Sequence, residues 1–168
     1  HSDEAALDVL TTYLTRGKKA PFYQIIVEEK KLAPGAVMFN YASELAGQTH
    51  LVIRAFADKD LDEVAAATGE AFARFEKDGI SQKDLDRIKA GQETQFYNSL
   101  SSVLGKGVQL TQCNMFANDP GCIEKDIQGI LAVTPADVTR VYEKYIKGKN
   151  FVATSFVPKG KIGLALEG

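Results

Sequence analysis

Histidine is nearly absent from this chain: of 168 residues, only His1 and His50 are histidines. They stand far apart, so neither belongs to a pair of imidazoles one helical turn apart, the arrangement a helix-borne metal site needs. Cysteine is equally scarce. Cys113 and Cys122 are nine positions apart, too wide for a CxxC redox or zinc motif, and no histidine sits nearby to complete a ligand set. Two readings stand. The preferred one is two unpaired, small apolar residues; the other is a disulfide closing a short loop, which needs an oxidising compartment. No apolar run approaches the roughly 20 residues that span a bilayer. No signal peptide is visible, and a chain that begins at His1 rather than Met reads as an excised piece. Neither charge sign dominates, with 20 basic and 22 acidic residues intermixed for a net charge of -2. Lacking a basic stripe, the chain is a poor partner for nucleic acid.

What is present suits a packed soluble domain. Hydrophobic residues make up 45% and charged residues 25%, near the globular average. Ser2 or Asp3 caps a first helix through Leu7, Leu10, Tyr13 and Leu14, stopped by Gly17. A second helix is predicted from Pro21 to Lys31, with Phe22, Ile25, Ile26 and Glu29 along one side. Ala36–Tyr41 and Thr49–Phe56 read as an antiparallel strand pair, joined by a loop from Glu44 to Gln48. Leu51, Ile53 and Ala55 share one face of the second strand; His50, Val52, Arg54 and Phe56 share the other.

Asp60, with Glu63 as a capping-box partner, opens a helix whose apolar stripe is Leu61, Val64, Ala65, Thr68, Phe72 and Phe75. Gly79 ends it, and Ser81 caps the next, which buries Leu85 and Ile88. Gly105 and Gly107 predict a break before a shorter helix through Leu110 and Phe116. Asp119-Pro120-Gly121 is a turn, and Ile123 to Leu131 resumes helix. Thr134-Pro135-Ala136-Asp137 is a strong helix start, with Val138, Val141, Tyr142 and Tyr145 inward and Gly148 as the stop. Phe151–Val157 reads as a last strand, and the tail as frayed or as a short strand at Ile162–Leu166. Strands and helices do not alternate one for one. The expected class is therefore α+β: an antiparallel or mixed sheet with helices layered on one face.

Several ordered segments carry a resemblance. They are His1-Ser2-Asp3-Glu4-Ala5-Ala6-Leu7, the run from Pro21 to Ala33, Ile80 to Lys89, Gly105-Lys106-Gly107-Val108-Gln109-Leu110, Asn118-Asp119-Pro120, Val133 to Val138, Tyr142-Glu143-Lys144-Tyr145, and the strand ending Val157-Pro158. In this order the chain resembles the pitrilysin/insulinase family of zinc metallopeptidases, the inverzincins. The likeness is strongest to the domain that follows the catalytic one in large bacterial members. It implies a metalloenzyme-domain-like fold lacking its first strands, with 1–158 as a single α+β domain incomplete at its N-terminus and 159–168 as a tail. The family's zinc site is H-x-x-E-H on a helix, the glutamate acting as general base. His1-Ser2-Asp3-Glu4-Ala5 matches the first histidine and the glutamate, but Ala5 stands where the second ligand must be. In some relatives an Arg and a Tyr contact substrate from a segment aligned with Val27 to Pro34; Val27 and Pro34 stand there and offer no side-chain donor.

The resemblance therefore implies no catalytic, cofactor-binding or metal-binding residue in this chain, and zinc only in the catalytic domain of a parent protein. It implies a supporting domain that helps wall a peptide chamber, partnered by a catalytic domain of the same polypeptide and by the parent's peptide substrate. The alternative is a structural or assembly subunit, similar to respiratory-complex core proteins or the inactive partner of a processing peptidase. A periplasmic or otherwise extracytoplasmic, soluble location is implied; oligomeric state is left open, although a missing sheet segment would expose a strand edge and invite self-association. Other residues read blandly. His50 is a surface or half-buried strand residue. Asp58, Asp60, Asp62 and Glu63 serve a helix start, lacking the glycine and terminal glutamate of a calcium loop. Glu28 to Lys31 is a solvated helix end. Ser99, Ser101 and Ser102 lack a nucleophile motif. Phe39, Tyr41 and Phe56 are assigned to the core in preference to a peptide groove.

Overall fold

The computed structural model describes residues 1–43 and 45–167. Helix α1 (Glu4–Thr15) is apolar around most of its circumference, and Val9, Leu10 and Leu14 are fully buried. Such a helix belongs inside rather than on a surface; α1 packs against the sheet and three later helices. Gly17, at φ +95°, turns the chain away, a conformation that glycine takes without penalty.

The second helical segment forms where expected, but Tyr23–Glu29 winds as a π-helix, the Lys30 N–H donating to the Ile25 carbonyl at 2.9 Å. Apolar spacing does not separate the two windings. Phe22, Ile25 and Ile26 are buried. Glu29 is not on the inner side: it is exposed and accepts from Arg74 Nη1 at 2.8 Å.

Strands β1 (Ala36–Ala42) and β2 (Gly47–Ile53) pair antiparallel, with Ala36 opposite Ile53 and Tyr41 opposite Gln48. The connection is shorter than expected, because β2 starts at Gly47; Glu44, placed in that loop, lies outside the described residues. The two-residue alternation sorts the faces as predicted. Ala36, Met38, Leu51, Ile53 and Ala55 pack on the core. Phe39, Tyr41 and Phe56 do not: they stand on the opposite face, exposed, with Val37 and Val52. Alternation says which residues share a face; α1, packed under β1, decides which face is inside.

Helix α2 (Leu61–Asp78) starts at Asp60, whose carboxylate accepts from the Asp62 N–H at 2.9 Å. The bond is to Asp62, not Glu63, so the expected capping box is not made. The buried stripe is Val64, Ala67, Ala71 and Phe75, with Leu61 and Phe72 at its margin. It is rotated from prediction: Ala65 is exposed and Thr68 half-buried. Small residues at 67 and 71 let the helix backbone approach the core closely.

Helix α3 (Gln82–Ser99) is capped by Ser81, which accepts from the Asp84 N–H at 3.1 Å. The break that follows spans residues 100–102, and Gly105 and Gly107 lie inside α4 (Val103–Ala117) rather than ending α3. Ser102 caps α4 by accepting from the Gly105 N–H at 2.9 Å. A Cβ at position 105 would run into the Ser99 carbonyl oxygen. The glycine is thus needed for a tight corner, not for a helix stop. Gly105→Ala is expected to destabilise this corner by about 1–3 kcal/mol, read as a lowered urea midpoint.

In the turn before α5 (Cys122–Ala132), Asp119 Oδ1 accepts from the Gly121 N–H at 2.9 Å. Helix α6 (Pro135–Tyr145) carries the full capping box of Thr134 and Asp137 and buries Val138, Val141 and Tyr142. Tyr145, expected inward, is 38% exposed. The predicted last strand, Phe151–Val157, does not form. The segment joins no ladder among the described residues, and Phe151, Val152 and Phe156 are exposed. Local β-propensity cannot supply a missing neighbour. The tail forms a 3-10 turn at Ile162–Leu164 instead of a strand. The result is an α+β fold: an antiparallel hairpin with helices on one face.

Candidate functional site

The N-terminal stretch that partly matches a zinc motif is occupied by structural work. Asp3 is buried, and its carboxylate accepts from Arg140 Nη1 at 2.7 Å, Lys144 Nζ at 2.8 Å and the Tyr145 hydroxyl at 2.8 Å. Lys144 first, then Arg140 and Tyr145, hold the Asp3 carboxyl well below the usual carboxylate range. Asp3 thus fastens the start of α1 to the last turns of α6. His1 is exposed, and its Nδ1 accepts from the Asp3 N–H at 3.0 Å. Ala5 packs against the core and has no ligand atom. His50 is half-buried on the outer face of β2, stacked on Phe39 at a centroid distance of 5.1 Å.

Among the described residues, one group of three potential metal ligands comes together: Cys113, Cys122 and Asp126. Two of them are joined. Cys113 and Cys122 form a disulfide, which corrects the preferred reading of unpaired cysteines. The Asp119-Pro120-Gly121 turn folds α5 back on α4 and brings the two Cα atoms to 5.5 Å, within reach of a bridge. Disulfide sulfurs are not thiolate ligands, so the group does not fit a metal ion in this state.

The remaining candidates resolve simply. Asp60 caps α2, Asp62 Oδ1 accepts from the Glu167 N–H at 3.1 Å, and Asp58 lies 3.9 Å from Lys59. Ser102 caps α4, while Ser99 and Ser101 donate to backbone carbonyls three residues back. Glu29 and Lys30 reach Arg74 and Glu70 across to α2. Val27 is half-buried and Pro34 exposed.

Sequence reasoning missed a carboxylate group around α1. Asp8 is half-buried, and its carboxyl is pushed up to about 6 by burial, then by Glu4, with Asn40 opposing. Asp126 is raised by the same two causes in the same order. The signal was present, since Asp8 falls between buried Leu7 and Val9. A raised carboxyl means the folded state binds its proton more tightly, so stability rises as pH falls through about 6 towards 4 and declines as pH rises through that window. Asp8→Asn is expected to flatten this slope and raise stability at pH 8 by about 2 kcal/mol, measured by chemical denaturation across pH.

Exposed apolar surface dominates what remains. The outer sheet face presents Val37, Phe39, Tyr41, Val52 and Phe56, and α4 presents Val103, Leu104, Met115 and Phe116. These residues, with the 151–157 segment that joins no ladder, define a helix-rich α+β domain rich in unsatisfied packing surface.

The family model described as "Peptidase M16 inactive domain" matches residues 1–92, more than half of the chain, and the chain belongs to that family. Among curated proteins it is 27% identical over 157 residues to the zinc protease PqqE of Helicobacter pylori, covering 88% of this chain and 33% of that protein. A solved protease from Helicobacter pylori superposes with a TM-score of 0.74 at 25% identity, over 88% of this chain and 35% of that one. The periplasmic protease PqqL from Escherichia coli shares the fold at a TM-score of 0.65 and 15% identity, over 86% of this chain and 16% of that one. The chain spans about a third of the length of the curated relative it matches.

Proposed function

We propose that this inactive domain supports a zinc metallopeptidase of the pitrilysin/insulinase type. It packs beside a catalytic domain of the same polypeptide and helps wall the chamber that admits extended peptides. The observation that carries this reading is the exposed apolar surface on the outer sheet face and on α4. A domain that works alone rarely leaves so much uncovered, and the matched relative is about three times as long. Zinc and the general base belong to the catalytic partner, where a metal-activated water would cleave the peptide bond; Ala5, standing where the motif has its second histidine, supports that division.

The unit is 1–158, a domain short of its opening strands, with 159–168 as its tail. Phe151–Val157 forms no strand in this chain, and its composition suits pairing with a neighbour elsewhere in the longer protein. An extracytoplasmic location is supported by the disulfide, which persists where thiols are oxidised, and by the periplasmic PqqL. No helix among the described residues is long and apolar enough to cross a membrane.

The test uses the purified chain, exposed to zinc and dialysed. It is expected to retain no stoichiometric zinc and to leave unstructured peptides uncut. Chelator-sensitive proteolysis by the pure chain would overturn the reading.

A further inference from the structure

Helix α4 is poorly anchored. Cys113 is its one buried residue, while Val103, Leu104, Met115 and Phe116 are all more than 60% exposed. It packs chiefly on α5, which in turn packs on α1 and α3. The disulfide ties the last turns of α4 to the first residue of α5, and so ties α4 to the body of the domain.

The two sulfurs are not equivalent. Cys113 is buried and Cys122 half-buried, so an incoming nucleophile reaches Cys122 first. Cys122 also begins α5, where the helix N-terminus favours a thiolate. Asp126, one turn on, opposes this: its Oδ2 lies 3.8 Å from Cys122 Sγ. An ionised carboxylate at that distance repels an approaching thiolate.

We propose that Cys113–Cys122 is a reversible thiol–disulfide exchange site whose reduction by a dithiol releases α4, and that Asp126 shields its accessible sulfur. The thiolate of the dithiol attacks Cys122 Sγ and the S–S bond breaks. The electron pair leaves on Cys113 Sγ, which takes a proton from water. The second thiol then attacks the reductant's own bound sulfur, which frees Cys122 as a thiolate that is protonated in turn. The dithiol departs as a cyclic disulfide, having given two electrons to the protein. Released α4 opens locally because no other side chain of it is buried. The inference rests on α4, α5 and the disulfide, and stands whether or not the chain belongs beside a catalytic domain.

The full 168-residue chain is followed by amide hydrogen exchange with and without dithiothreitol at pH 8. Exchange across α4 is expected to quicken at least tenfold on reduction, with α1 and the hairpin unchanged, and to return on reoxidation. No change in α4, or equal quickening in α1, overturns local release. Cys122→Ser should show the reduced pattern without reductant; loss of protection throughout that variant also overturns it. Asp126→Asn should speed reduction by dithiothreitol at least threefold but leave reduction by an uncharged phosphine unchanged. An equal effect on both reagents, or none on either, removes the shielding role.

Discussion

Replacing Phe22 by alanine is expected to destabilise the chain by about 4 kcal/mol, within the range for deleting a buried aromatic side chain. Phe22 is fully buried just before the π-helix. Its ring meets Phe72 edge-on at 5.1 Å, Phe72 lies 5.9 Å from Tyr142, and Tyr142 meets Phe75 at 4.9 Å. Tyr13 of α1 completes the chain at 5.8 Å from Phe75. One truncation therefore opens a cavity where the π-helix, α2 and α6 meet. Edge-to-face pairs add about 0.5–1.5 kcal/mol beyond area burial, so the loss exceeds simple transfer. Against a total of roughly 5–15 kcal/mol for a domain, this is a large share. Chemical denaturation should show the midpoint falling with an unchanged slope. Phe22→Leu, which refills most of the space, should recover more than half of the loss; equal behaviour of the two variants would show that the site is not tightly packed.

Asp3→Ala is expected to cost about 3 kcal/mol, at the low end for breaking a buried ion pair. The low end applies because Arg140 and Lys144 are about half exposed and return to water when their partner goes. The carboxyl sits well below its ordinary value in the fold. Its contribution is therefore complete above the ordinary carboxylate pKa of about 4, and is lost as pH falls through that region towards the depressed value. Asp8 acts in the opposite direction in a higher window, up to about 6. The wild-type chain should thus gain stability from pH 7 to about 4.5 and lose it below about 3.5. Asp3→Ala should remove much of the acid-side loss and leave the gain. If the mutant keeps the whole acid-side decline, the Asp3 cluster is not its source.

The positions read most accurately were those where one residue decides the outcome locally. Ser81 and Thr134 cap helices because a short side-chain oxygen reaches an orphan N–H. Gly79 ends α2 at positive φ, while Gly148, also at positive φ, lies in the turn just past Ile146, the C-cap of α6. Which hairpin residues share a face followed from side-chain alternation alone. Errors arose where a second element had to be known. Phe151–Val157 has the composition of a strand without a neighbour to pair with. Ala67 and Ala71 carry no local signal, because a small residue marks close approach only once the approaching surface is known. The zinc-like His1-Ser2-Asp3-Glu4 departs from the motif at Ala5, and the partners of Asp3 lie at Arg140, Lys144 and Tyr145, more than a hundred residues away.

The lack of paired histidines, the helix caps and stops, and the order of apolar segments were determined by the chain's own residues, because each depends on neighbours within a few positions. The tertiary structure decided which sheet face is inside, where α3 breaks from α4, that the two cysteines join, and that Asp3 is an ionic anchor. Each of these depends on groups that only folding brings within a few ångströms, and no local rule carries that information.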